Sequence, residues 1–149
     1  MPWVTFFSDR FTLIPAEDAI NDVLGKDLAE WLRAELAQAG FDVGEVIAED
    51  YGYGFWVKLN RSHYWVTQGG YESGEVENPP APEWLISIDY DPGCFWWWRL
   101  RARPNPEDPY RIAEAVHASL TRADDITGIQ WWEKNEKTEP PSTETTSTG

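Results

Sequence analysis

The sequence holds one cysteine, two histidines and one methionine in 149 residues, and only 12 basic residues against 26 acidic ones. Each shortage closes off a class of function. Cys94 stands alone, so no internal disulfide can form and nothing calls for an oxidising compartment. Cys94, His63 and His117 are the whole supply of soft ligands, and no two of them sit at ligand spacing, so neither a metal nor a cofactor is expected. A formal net charge of −14 repels nucleic acids and anionic membranes, and binding to either is not expected. No apolar run approaches the ~20 residues of a membrane-spanning helix, and Met1 to Arg10 lacks the basic start and sustained apolar stretch of a secretion signal. A cytoplasmic location is the expectation. Also missing are a phosphate-cradling glycine loop, a Gly-x-Ser-x-Gly elbow and a dinucleotide fingerprint, so no catalytic residue is assigned.

What is present reads as one α+β domain. Residues 133 to 149 contain no aliphatic or aromatic side chain and cannot offset their ordering entropy by burial, which predicts a disordered, acidic Ser/Thr/Pro tail. That tail carries four acids and two lysines, leaving 22 acids and 10 bases, or −12, on residues 1 to 132. The acidity therefore belongs to the folded part, which is long enough for one core.

Within it, Trp3 to Ile14 alternates loosely and predicts a strand or short hairpin ended by Pro15. Leu28, Trp31, Leu32, Leu36 and Ala39 fall at helical spacing, and Gly40 supplies a left-handed stop. Three strands are expected at Val43 to Glu49, Tyr53 to Leu59 and Ser62 to Gln68. If Asn60-Arg61 is a two-residue turn, Leu59 faces Ser62, Val57 faces Tyr64 and Phe55 faces Val66. Gly69 to Pro82 reads as a long exposed loop. A second hairpin is expected from Glu83 to Tyr90 and back through Cys94 to Arg103, with Tyr90, Ile88, Ile86 and Trp84 facing Cys94, Trp96, Trp98 and Leu100. A shorter turn would instead set Ile86 against Arg99 and Trp84 against Arg101. Asp108-Pro109 starts a helix as N-cap and first residue, with Ile112, Ala113, Val116 and Leu120 inward, and Gly128 to Trp132 forms a last strand. The whole predicts a two-layer sandwich: a mainly antiparallel sheet of five to seven strands with two helices on one face.

Ten tryptophans exceed what one small core can bury. The hairpin registers place Trp84, Trp96 and Trp98 inward, and turn Trp56, Trp65 and Trp97 to the other face beside Lys58, His63, Arg99, Arg101 and Arg103. Aromatic residues with arginine are the composition of interface hot spots. The competing explanation is that long Trp and Arg side chains merely cover the solvent side of a sheet. Glu49-Asp50-Tyr51-Gly52-Tyr53-Gly54 adds an acidic pair at a glycine-containing turn. Glu49 and Asp50 point to opposite faces, which suits binding better than paired acid and base chemistry.

The run Gly25-Lys-Asp-Leu-Ala-Glu-Trp-Leu, then Leu36, Gly40-Phe41, Glu49-Asp50-Tyr51-Gly52-Tyr53 and Ile129-Gln130-Trp131-Trp132 resembles small bacterial proteins with a Glu-Asp-aromatic-Gly-aromatic signature. That resemblance implies a bacterial cytosolic origin and carries no activity with it.

The expected function is that of a non-enzymatic, immunity- or inhibitor-like domain that recognises another protein with a basic surface. Trp56, Trp65, Trp97, Arg99 and Arg101 would be its anchors, with Glu49 and Asp50 steering. The alternative is a small-ligand or carbohydrate binder, or a weak hydrolase, in which the same tryptophans stack and His63 or Asp50 makes polar contacts.

Overall fold

Local chemistry sets the element ends. The structure, a computed structural model, describes residues 1–72, 74, 77–91 and 105–133. It contains β1 (Pro2–Ser8), α1 (Lys26–Gln38), β2 (Asp42–Val43), β3 (Ile47–Glu49), β4 (Gly52–Leu59), β5 (Ser62–Gly70), β6 (Glu83–Asp91), α2 (Asp108–Arg122) and β7 (Ile126–Glu133). Helix α1 buries Leu28, Ala29, Leu32 and Leu36. It stops where Gly40 turns left-handed at φ 98°, and the Phe41 amide reaches back to the Leu36 carbonyl at 3.0 Å. Asn60 and Arg61, at φ 52° and 74°, form the two-residue turn that joins β4 to β5. The expected register follows: Leu59 faces Ser62, Val57 faces Tyr64 and Phe55 faces Val66.

The strands form one seven-stranded antiparallel sheet in the order β2-β4-β5-β6-β1-β7, with β3 also on β4. Strands β2 and β3 are two halves of one edge, interrupted around Gly44, whose carbonyl accepts from Arg33 Nε of α1. Helix α1 lies against β4 and β5, and α2 against β6, β1 and β7, on the same face. Between them and the sheet lie Val4, Phe6, Phe55, Val57, Tyr64, Val66, Trp84, Ile86 and Ile88. Trp84 is fully buried, donates from Nε1 to the Ser8 carbonyl at 2.9 Å and meets Phe11 edge-on at 5.6 Å. Burying a side chain of this class stabilises the fold by about 1.5–3 kcal/mol.

Five expectations change. The strand expected at Val43 to Glu49 is split into β2 and β3, interrupted around Gly44. Strand β1 ends at Ser8 without a hairpin, because Phe11 leaves the strand to pack between Trp31 and Trp84. Both edges of β6 at Trp84 and Ile86 are taken, by Phe6 and Val4 of β1 and by Gly70 and Gln68 of β5. This leaves no edge for the register expected of those two residues with Leu100 and Trp98. The return segment itself lies outside the described residues. Asp108 is the first residue of α2 rather than its cap: its buried carboxylate accepts from Asn60 Nδ2 at 3.2 and 3.4 Å, while Asn105 Oδ1 takes the Glu107 amide. Glu133 closes β7, accepting from Tyr110 Oη at 2.7 Å, so the expected tail would begin one residue later, and residues 134 to 149 lie outside the described residues. No helix among the described residues is long and apolar enough to cross a membrane.

Candidate functional site

Among the described residues the second face of the sheet is helix-free, and it is built by the alternate residues of the same strands. Its rows run straight across the pairing registers: Lys58 and His63; then Trp56, Trp65 and Asp89; then Gly54, Thr67, Ser87, Trp3 and Trp132. The middle row brings the two expected tryptophans together, with ring centroids 4.5 Å apart and planes at 56°. Both are half-buried. His63 meets Trp56 edge-on at 6.3 Å.

Trp65 is held on three sides. Its ring lies over Gly54, where a Cβ would stand 2.3 Å from the indole carbon Cζ2. Its Nε1 donates to Tyr51 Oη at 3.1 Å, and Trp56 flanks it. Gly54 is thus required by the packing of an aromatic ring. Gly52 answers a different need: a Cβ there would stand 2.4 Å from the Gln68 carbonyl oxygen of β5.

Around the pair lies a shallow depression of about 410 Å³, lined by Ile47, Glu49, Tyr51, Trp56, Trp65, Asp89 and Tyr90 and open to solvent. Its floor is aromatic and its rim carries two carboxylates. Desolvation pushes the Tyr51 phenol above its ordinary range, the Trp65 hydrogen bond opposes that, and the negative charges of Glu49, Asp50 and Asp89 add to the rise. The Tyr51 hydroxyl therefore stays protonated at neutral pH within a negative local field. Tyr51 also walls a second cavity of about 540 Å³, which lies by the strand ends against Leu13, Leu24, Tyr71 and Trp84.

Of the expected site residues, Trp56, Trp65, His63 and Glu49 share the outer face, and all but His63 line the depression. Asp50 sits exposed in the β3–β4 turn beside Tyr51. Trp97, Arg99 and Arg101 lie outside the described residues. Tyr51, Ile47 and Asp89 join the site without having been singled out. Asp89 comes beside Trp65 only through the β5–β6 register, which no local turn encodes.

The far end of this face is closed by its own contacts. Trp3 stacks on Trp132 at 5.7 Å and 25°, Tyr71 meets Trp3 edge-on at 6.0 Å, and Trp132 Nε1 donates to Thr5 Oγ1 at 3.2 Å. His117 accepts at Nδ1 from Trp131 Nε1 at 3.0 Å, which gives it a structural partner. Among the described residues, no group of three or more His, Cys, Asp or Glu side chains is placed to hold a metal ion.

No protein-family model matches the chain, nor does any curated protein or solved structure. The functional reading therefore rests on the site itself.

Proposed function

We propose that this chain is a non-enzymatic protein-binding domain, immunity- or inhibitor-like, which uses the helix-free sheet face to hold a partner with a basic surface in the cytoplasm. The observation that carries this is the Trp56–Trp65 pair, half-exposed on a sheet face that no helix covers among the described residues and rimmed by Glu49 and Asp89. Large aromatic side chains lose little rotamer entropy on binding and supply most of the energy at interface centres. The −14 net charge steers a basic partner towards the face and makes association fall with salt.

One observation favours a second reading. A depression of about 410 Å³ in which indoles, a phenol and carboxylates converge is within the size range of small-ligand sites, so a sugar or heterocycle stacked on Trp65 is the alternative. The breadth of its opening favours the first.

Capture from a bacterial lysate tests the proposal, comparing wild type with a Trp56→Ala/Trp65→Ala chain at low and high salt. A basic protein retained by wild type at low salt, released at high salt and lost by the double variant is the expected result. Equal retention by both chains, or no partner at low salt, would overturn it.

A further inference from the structure

We infer that the depression between Trp56, Trp65, Tyr51 and Glu49 is the seat of a single arginine side chain supplied by the partner. This deepens the protein-binding reading and rests on it.

Shape comes first. A shallow hollow of about 410 Å³ has room for one protruding side chain, leaving the surrounding face to meet the partner's surface. The chemistry of the walls then selects among side chains. Two indole rings set at 56° and 4.5 Å apart offer π faces to a cation, and a planar guanidinium stacks on such faces better than a compact ammonium does. The Glu49 side chain stands at the rim with no hydrogen bond or ion pair among the described residues. Its carboxylate can take a guanidinium fork through two parallel N–H···O bonds, a geometry lysine cannot offer. The Tyr51 oxygen already accepts from Trp65 Nε1, so the phenol is fixed in place and helps to line the seat.

Electrostatics agree with the shape. Beyond desolvation, the charges of Glu49, Asp50 and Asp89 all act on the Tyr51 hydroxyl in the same direction, so carboxylate charge is felt at the hollow. Among the described residues, Lys58 and His63 stand in the next row, beyond Trp56, and do not line the hollow. The seat is also preformed. Gly54 lets the Trp65 ring lie on the β4 backbone, and the hydrogen bond to Tyr51 holds it there, so little ordering remains to be done on binding.

The test titrates the full chain with Nα-acetyl-arginine amide while following the indole N–H resonances of Trp56 and Trp65. Saturable shifts at these two residues are expected, with affinity about fivefold weaker in Glu49→Gln. The lysine amide should bind more weakly, and the neutral citrulline amide should give no saturation. Trp65→Phe, which keeps a ring over Gly54, controls for folding and should retain part of the affinity. Equal binding of citrulline amide, or an affinity unchanged by Glu49→Gln, would overturn the inference. So would binding that appears only after Arg99→Ala and Arg101→Ala, since the seat would then belong to the chain's own arginines. If arginine amide fails while the captured partner still depends on Trp56 and Trp65, the anchor is wrong and the protein-binding reading stands. If capture too is indifferent to those tryptophans, the wider reading fails on its own evidence.

Discussion

On the helix-covered face of β4 and β5, Phe55, Val57, Tyr64 and Val66 are fully buried. One residue along the same strands, Trp56, His63, Trp65 and Thr67 turn to the other face and remain at least partly exposed. The two sets share a backbone, a register and a turn, so the difference lies in what covers them. The covered face is filled by two helices and holds mainly aliphatic and aromatic packing. The outer face keeps half-exposed indoles beside carboxylates, an arrangement that contributes little to a core and suits contact with a second molecule. The proposed function would set stability and recognition on opposite sides of one sheet.

The sharpest way to break that division is to remove one tryptophan from each side. Trp84→Ala opens a void in the core and strips the donor from the Ser8 carbonyl, and should cost about 3–5 kcal/mol in denaturant unfolding. Trp65→Ala loses a ring pair on a half-exposed face and should cost about 1 kcal/mol. Comparable losses would mean that the outer face is structural.

The glycines give a second, smaller contrast. Gly52→Ala drives a Cβ against the Gln68 backbone carbonyl, which cannot swing aside, and should destabilise by about 2–3 kcal/mol. Gly54→Ala meets the Trp65 ring, which can swing, so its expected cost is about 1 kcal/mol. Its larger effect should be on the site: loss of the Trp65–Tyr51 hydrogen bond, seen as a shifted indole N–H resonance.

Alkaline titration separates the faces by another route. Burial first, and then the Asp108 charge, push the Tyr64 phenol up to about 12. Below pH ~10 folded and unfolded chains both keep that proton and stability is intact; above it the unfolded chain ionises first, so stability falls until the folded phenol titrates. Tyr64→Phe should move alkaline unfolding to higher pH, and Tyr51→Phe should move it less. The smallest effect belongs to the turn. Arg61 holds φ 74°, so Arg61→Gly should stabilise the chain by roughly 0.5–1 kcal/mol without disturbing Asn60 and its bond to Asp108.

How much of this was legible in the sequence depends on the range of each contact. The β4–β5 hairpin was readable because two turn residues fix its register and alternation then assigns every face, which is how Trp56 and Trp65 were separated from Val57 and Tyr64. Helix α1 was readable from its leucine spacing and Gly40. The place of β1 was not. It sits between β6 and β7, pairing Val4 with Ile86 and with Trp131, and no local pattern records partners that distant. The same limit hid Asp89, which joins Trp65 only through pairing across the long loop. Gly54 was visible as a glycine, but its purpose depends on where the Trp65 ring lies. The shared face of Trp56 and Trp65 was therefore legible and the rim of the candidate site only partly so, while Trp97, Arg99 and Arg101 lie outside the described residues.

The most direct measurement takes the partner captured by wild type and titrates it against the Trp56→Ala/Trp65→Ala chain, with unfolding followed in parallel. The account predicts lost binding while the unfolding free energy stays within about 2 kcal/mol of wild type. Retained binding, or a loss of stability as large as that of Trp84→Ala, would contradict it.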